Sequence, residues 1–333
     1  CFDGGSSRGW LPLSASDAAS IEKEYKTFCL CPEGDTKTAV LQHGQHEYAI
    51  DFSLMQQKNT STGKVRKLQR SKHFVPRPYP AHWQCHRAAP RSENVSHHPG
   101  GWCAFDVTSS MRQTFEQLLH LTAHPREDGQ GRPSICACMQ DAIVTRVDRI
   151  EHSLRWDLYH SMHTSLKQAL AIHDIHCKPL GSLICDNLQT LGHSNGLDSE
   201  VNEVYLWHGT RQSNLPLILN DGFDCRVSRK GLYGAGLYFC PQACKSHQYC
   251  PQEANDYKVI LARVLVGDAH RLDCCDKTLR RPPQRSDSSR LYDSVIAHSG
   301  MMSGAPGGQQ HHHEVVVFDG AVAYPEYVVT YTC

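Results

Sequence analysis

The sequence predicts an α+β protein built as two domains, and three observations carry that expectation. In the first 70 or so residues a brief helical pattern is followed by short runs of strand-like residues. From Phe74 to about Gly101 comes a Pro-, His- and Arg-rich stretch without periodicity. From Trp102 onward helical patterns come first and Gly-punctuated strands later, the order of an α+β domain. The predicted division is a first domain over 1–75, a linker over 76–101 and a second domain over 102–333.

In chain order, Ser16 or Asp17 caps a short helix through Ile21, Glu22 and Tyr25. Two strands follow, Thr38 to Gln42 and Tyr48 to Phe52. In the second, Tyr48, Ile50 and Phe52 alternate with Ala49 and Asp51. Asn59-Thr-Ser-Thr-Gly63 is a turn cluster, and Lys64 to Gln69 reads as a third strand. Helical patterns cover Met111 to Leu121 and Ile150 to Leu170. Strands are expected at Val204–His208, Leu237–Phe239, Lys258–Val266, Glu314–Phe318 and Glu326–Tyr331.

The 333 residues carry 34 Lys+Arg against 34 Asp+Glu, so the formal charge is zero, and 40% are hydrophobic. That balance suits a globular chain and argues against binding nucleic acid by bulk electrostatics. No apolar run approaches the ~20 residues of a membrane helix, and the best, Val259 to Val266, contains Arg263. The chain opens on Cys1 rather than Met, which reads as a fragment or a processed product, and its first 30 residues hold no signal-peptide pattern. Its 16 irregularly spaced Cys read as reduced thiols of an intracellular protein, nuclear or cytoplasmic.

Zero net charge conceals an asymmetry. Between Phe52 and Glu93 stand Lys58, Lys64, Arg66, Lys67, Arg70, Lys72, Arg77, Arg87 and Arg91 with no acidic residue among them. Such a stretch is either a solvated face or a surface for a phosphate-bearing partner. The ordered residues Gly9-Trp10, Ile21-Glu22, Tyr25, Tyr48 to Met55, Gln57, Asn59, Gly63 and Arg66 resemble the WWE domain, although Leu11 stands where a second signature aromatic is expected. That resemblance implies a small half-barrel sheet around one helix. It also implies binding of ADP-ribose units, with Tyr48 and Gln57 lining the pocket and Arg66 holding a phosphate. Some members of that family use the domain for protein contacts alone.

In the second domain, the strand Val204-Tyr-Leu-Trp207 runs into His208-Gly-Thr210, where Gly209 lets a ligand approach the backbone. A helix over Leu215 to Leu219 ends at Gly222. The glycines of Gly231-Leu-Tyr-Gly-Ala-Gly236 precede an aromatic strand rather than a helix, which rules out a dinucleotide-binding fingerprint. Lys245-Ser246-His-Gln-Tyr249 sets a hydroxyl and an aromatic three residues apart. Glu314 opens the strand Val315 to Phe318. These segments offer a pocket an imidazole, tyrosines, a serine, a bare glycine backbone and one carboxylate, a set suited to a planar ring and to an oxocarbenium-like sugar. Taken singly, each tyrosine also reads as core and Glu314 as a strand end.

Together these motifs, with Gly222-Phe-Asp224, Tyr292-Asp-Ser294 and Ala323-Tyr-Pro-Glu-Tyr327, resemble the catalytic domain of the poly(ADP-ribose) polymerase family over about residues 102–333. Val147 to Glu151, with Trp156 and Tyr159, matches the helix that precedes the site. The resemblance implies a split β-sandwich that transfers ADP-ribose from NAD+ to protein acceptors, the enzyme itself included, with release of nicotinamide. By that resemblance His208 bonds the adenosine-side ribose, and Gly209 and Ser246 hold the carboxamide, with Thr210 beside them. Tyr249 stacks on the nicotinamide, Tyr238 backs its other side and Glu314 bonds the nicotinamide ribose. The set His208, Tyr238 and Glu314 is that of members that build polymers, so elongation of poly(ADP-ribose) is expected, with the WWE-like unit reading the product. The segment from Pro282-Pro283 to Ser294 instead resembles the WWE-bearing mono-transferases. The alternatives are single-unit transfer and a catalytically silent reader.

NAD+ is the expected co-substrate, with no metal, since nicotinamide is already a good leaving group. Cys240, Cys244, His247 and Cys250 have zinc-like density without a standard spacing. Cys85-His86 with Cys103, Cys136-x-Cys138 and Cys274-Cys275 are weaker, and His311-His-His313 reads as a solvated loop. Neither direct DNA binding nor membrane association is expected, because no paired zinc-finger spacings occur and the linker is too short for a helical autoinhibitory domain.

Overall fold

A computed structural model describes residues 2–3, 10–11, 13, 15–30, 38–43, 46–68, 79–83, 95–98, 101–122, 137–228, 230–253 and 255–333. Gly9, Arg70, Lys72, Arg77, Cys85, His86, Arg87, Arg91 and Cys136 lie outside the described residues. The chain divides into two compact units, residues 1–78 and 79–333. No helix among the described residues is long and apolar enough to cross a membrane.

In the first unit, helix α1 (Ala15–Leu30) accompanies an antiparallel meander of β1 (Thr38–His43), β2 (His46–Asp51), β3 (Gln56–Asn59) and β4 (Val65–Lys67). The helix is longer than its capping residues suggest. Ile21, Tyr25 and Phe28 give it an apolar stripe against Leu41, Ile50, Phe52 and Leu68. Strand β3 escaped the sequence reading because Gln56-Gln-Lys-Asn59 is wholly polar. Its inward positions are Gln57 and Asn59, both buried. Asn59 Oδ1 accepts from the backbone N–H of Ser61 and Thr62 at 3.1 and 2.7 Å, which builds the expected 59–63 turn.

The second unit has two main sheets, besides a two-stranded ladder of Gly300–Met301 with Gln309–Gln310. The larger has the order β8–β10–β14–β7–β6–β5, all antiparallel: β8 is Glu203–Gly209, β10 Tyr257–Leu265, β14 Ala323–Thr332, β7 Ile143–Glu151, β6 Cys103–Asp106 and β5 Val95–His97. The smaller has the order β9 (Leu237–Phe239), β13 (Glu314–Val317), β12 (Ser294–Ala297) and β11 (Ala269–Leu272), with only the last pair parallel. One core contains residues of both sheets, among them Trp207, Leu261, Phe239 and Val315. At one corner Trp207 and Cys240 exchange backbone hydrogen bonds at 2.8 and 2.9 Å, which ties β8 to the chain just after β9. Around the sheets stand α2 (Thr108–Leu121), α3 (Ser153–Ile172), α4 (Asp186–Ser194), α5 (Leu215–Asp221) and α6 (Ala243–His247).

Two segments differ from expectation. Val147 to Glu151 is not helical; it belongs to β7, and α3 begins at Ser153. Buried Val144, Val147 and Ile150 recur every three residues, which imitates a helix. Two causes combine: a bulge at Thr145, where Val144 pairs with Tyr331 and Arg146 with Thr330, shifts the buried parity between Val144 and Val147, while Ile150 is buried on the opposite face of the strand against Trp102, Leu219 and Val328. Within 76–101, Trp83 is buried between Tyr79, Trp156 and Tyr324, with ring centroids 5.6, 5.2 and 5.7 Å away. Val95–His97 pairs with β6. A linker composition thus surrounds aromatic anchors that pack onto the larger unit.

Candidate active site

The end of β8 and the start of the smaller sheet carry the residues named for chemistry. His208 is the penultimate residue of β8, and its Nδ1 lies 2.9 Å from the Tyr238 carbonyl. A carbonyl only accepts, so Nδ1 carries the proton and Nε2 is the acceptor of the neutral ring. Phe223 and Phe239 flank it at 5.0 and 5.3 Å. Burial lowers the His208 pKa while the bond to Tyr238 opposes the shift, and the net effect keeps the ring neutral at physiological pH.

Gly209 is required by packing. A Cβ there would overlap the Ser246 carbonyl oxygen and lie 2.6 Å from its carbon. That close approach sets buried Ser246, on α6, directly beside the Gly209 backbone. Thr210 Oγ1 accepts from Asn214 Nδ2 at 3.0 Å, so its side chain is turned to the following turn. Tyr249 lies beyond the end of α6, with its N–H donating to the Ser246 carbonyl at 3.0 Å and its ring 56% exposed. An exposed aromatic face next to buried polar groups is available to a planar ligand.

Tyr238 faces the same side of the smaller sheet as Glu314. It pairs with Val316, and Glu314 stands two residues earlier on that strand. The Tyr238 hydroxyl accepts from Tyr233 N at 2.9 Å and donates to the Gly234 carbonyl at 2.8 Å, which pins the glycine loop. Gly231 must be bare because a Cβ would overlap that hydroxyl. Glu314 is buried, and Lys245 Nζ lies 3.2 Å from its Oε1. Burial pushes the Lys245 ammonium down, but the Glu314 charge, the Tyr249 ring hydroxyl and the bonds to both together outweigh it, so its pKa stands above the ordinary value.

Lys245 has no role assigned by its motif, which points to Ser246 and Tyr249. A cation four residues before Tyr249 was visible, but its partner Glu314 is 69 positions away and only the fold joins them. Gln310 was missed altogether; it donates to Glu314 Oε1 at 3.0 Å from the two-residue strand Gln309–Gln310, which pairs with Gly300–Met301 next to a His-rich loop with no periodic signal. That loop is also less solvated than expected. His312 is buried with Nε2 3.4 Å from Cys244 Sγ, and His313 bonds Ser299.

The cysteine- and histidine-rich stretch is occupied by structural contacts. Cys240 Sγ bonds the His313 carbonyl at 2.8 Å, His247 Nδ1 lies 2.8 Å from Tyr331 OH, and Cys250 Sγ bonds the Ser246 carbonyl at 3.4 Å. Among the described residues no group of three His, Cys, Asp or Glu is placed to hold a metal ion. A cavity of about 510 Å³ lined by α2, α4 and β7 lies elsewhere. Its charged groups are committed within the fold, Arg149 to Glu151 at 2.8 Å and His82 to Glu326 at 2.7 Å.

In the first unit, register puts the three named reader residues on one face. Tyr48 pairs with Asn59, Ile50 with Gln57 and Gln57 with Arg66. Residues directly opposite share a side, and so do residues two apart. Lys58, Lys64 and Lys67 are exposed, whereas Arg66 is half-buried.

Comparison with known proteins agrees with both units. The poly(ADP-ribose) polymerase catalytic domain matches residues 138–333, and the WWE domain matches residues 3–70. Protein mono-ADP-ribosyltransferase PARP12 of Mus musculus is 25% identical over 328 residues, covering 96% of this chain and 39% of that protein. Protein mono-ADP-ribosyltransferase PARP11 of Homo sapiens is 23% identical over 343 residues, covering 93% of this chain and 81% of that protein. Poly [ADP-ribose] polymerase tankyrase of Caenorhabditis elegans is 29% identical over 104 residues, 30% of this chain and 4% of that protein. The chain therefore spans about two-fifths of the length of the PARP12 relative. With the catalytic-domain match covering residues 138–333, more than half of the chain, and a WWE domain ahead of it, this chain belongs to the poly(ADP-ribose) polymerase catalytic-domain family.

Proposed function

We propose that the chain is an NAD+-dependent protein ADP-ribosyltransferase that attaches single ADP-ribose units to protein acceptors, itself included. The observation that carries this reading is the connected set at the sheet corner. His208 bonds the Tyr238 carbonyl, and Tyr238 shares a face with a buried Glu314 that pairs with Lys245 below an exposed Tyr249. In this reading the nicotinamide carboxamide sits at the Gly209 backbone and Ser246, with Thr210 at its edge. Its ring lies between Tyr249 and Tyr238, His208 bonds the distal ribose and Glu314 bonds the nicotinamide ribose. The bond from nicotinamide nitrogen to ribose C1′ breaks with its electron pair leaving on nicotinamide. Glu314 stabilises the positive charge that grows on the sugar, and an acceptor nucleophile closes the new bond at C1′; a carboxylate acceptor releases no proton, and a hydroxyl or amine acceptor gives its proton to Glu314 or to water.

Single-unit transfer replaces the expected elongation as the leading reading because the relatives matched along nearly the whole chain carry mono-ADP-ribosyltransferase names. Glu314 itself favours the second reading, polymer formation. Incubation with labelled NAD+, followed by sizing of the product released from the protein, separates the two. One ADP-ribose per site is expected; a ladder of longer chains would sink the single-unit reading, and unlabelled protein would sink the transferase.

We further propose that residues 1–75 form a reader for ADP-ribose and that residues 102–333 form the transferase, with 76–101 between them. The shared face of Tyr48, Gln57 and Arg66 supports the reader. Replacing Arg66 by alanine removes the charge-assisted bond to a phosphate and is expected to weaken binding of short ADP-ribose oligomers about 10- to 100-fold in calorimetry. Unchanged affinity would favour a protein-contact role instead. The ten described cysteines that are free thiols support an intracellular setting.

A further inference from the structure

Two donors hold the Glu314 carboxylate, and both engage Oε1: Lys245 Nζ at 3.2 Å and Gln310 Nε2 at 3.0 Å. The Gln310 amide has one workable orientation. Its Oε1 accepts from the Tyr233 hydroxyl at 2.8 Å, while its Nε2 also donates to the His312 carbonyl at 2.7 Å. Reversing the amide would set its oxygen against a carbonyl and a carboxylate. Gln310 and Tyr233 are buried, so these bonds are not exchanged readily with water. Burial first, then the neighbouring Cys275 and Glu314, holds the Tyr233 phenol well above its ordinary pKa, so it remains a donor. The same Tyr233 gives its backbone N–H to the Tyr238 hydroxyl. One residue therefore links the glycine loop, Tyr238 and, through Gln310, Glu314.

We propose that Gln310, locked by Tyr233, is a positioning residue for Glu314. It commits Oε1 to the protein and leaves Oε2 for the substrate ribose. It also makes that orientation depend on the Gly231–Gly236 loop being in place. The inference deepens the transferase reading and rests on it. Lys245 supplies charge at the same oxygen but, as a flexible cation, does not fix the orientation of the carboxylate; a planar amide held at both ends does.

The test is a double-mutant cycle of wild type, Gln310→Leu, Glu314→Gln and the double variant. It reads transfer from labelled NAD+ together with binding of the non-hydrolysable analogue carba-NAD+. Gln310→Leu is expected to lower kcat about 10- to 100-fold, the usual range for losing a residue that orients a functional group, with KM for NAD+ changed less than about threefold. In the Glu314→Gln background the same change is expected to cost less than about twofold, because the carboxylate it orients is gone. Tyr233→Phe follows the same pattern with a smaller loss, and decides by the same criterion if Gln310→Leu does not fold. Equal losses in both backgrounds, or no loss at all, overturn the inference while wild-type activity stands. Wild-type protein that neither binds carba-NAD+ nor becomes labelled overturns the transferase reading and this inference with it.

Discussion

Replacing Glu314 by glutamine is expected to lower ADP-ribosyl transfer about 10²- to 10³-fold, the usual loss when one preorganised group is removed from a developing charge. The substitution preserves shape and removes one negative charge from a buried position. Two consequences separate charge from packing. Lys245, whose pKa is raised by Glu314 against the pull of burial, loses that support and deprotonates more readily. Binding of a non-hydrolysable NAD+ analogue falls far less than turnover, because the carboxylate acts most strongly once the sugar carries positive charge. Initial rates at saturating NAD+ and calorimetry with the analogue check both. Retention of a third or more of the wild-type rate would remove Glu314 from the chemistry.

The largest effect on stability is expected from Glu326→Ala. Glu326 is fully buried and bonds Arg263, Tyr205 Oη at 2.6 Å and His82 Nε2 at 2.7 Å. Arg263, also buried, reaches Glu203 Oε1 at 3.4 Å and the Asn195 carbonyl at 2.9 Å, and lies over the Trp156 ring at 5.2 Å. Removing the carboxylate leaves the guanidinium without its main counter-charge in a desolvated site, at a cost of about 3–5 kcal/mol in chemical denaturation. The acid side gives a second signature. Burial alone would raise the Glu326 pKa, but Arg263 and then His82 bring it from 4.5 down to about 2. A depressed carboxylate stabilises the fold fully above its unfolded value. That contribution is lost as pH falls from about 4.5 towards 2, so the wild type loses stability across this window and Glu326→Ala less so. A denaturation midpoint that moves by under about 1 kcal/mol, or identical acid profiles, would refute the network's role.

The strands at the reaction corner were legible because their signals are local. Val204 to His208, Leu237 to Phe239 and Glu314 to Phe318 each combine β-branched or aromatic residues with flanking glycine or polar breaks, and the observed bounds differ by a residue or less. Strand β7 was misread for an equally physical reason. Its end is buried on both faces, Val147 in one cluster and Ile150 in another, so the two-residue alternation that marks a strand is lost there. Strand β3 was invisible because its buried positions are Gln57 and Asn59, whose burial is supported by a turn and a neighbouring strand rather than by apolarity.

By itself the sequence determined which chemistry-bearing residues are present and in what order: His208-Gly-Thr210, the glycine loop before Tyr238, Lys245-Ser246 with Tyr249, and Glu314 at a strand start. Such motifs are continuous in the chain, so their residue types and spacing can be read directly. Only the tertiary structure decided who holds whom. Gly209 meets Ser246 across 37 positions, Lys245 meets Glu314 across 69, and Tyr233 reaches Glu314 through Gln310 across 77 and then 4. Those contacts follow from β9 lying beside β13 and from the Trp207–Cys240 link between sheets. Strand pairing is a non-local choice, made by burial over the whole core rather than by any one segment.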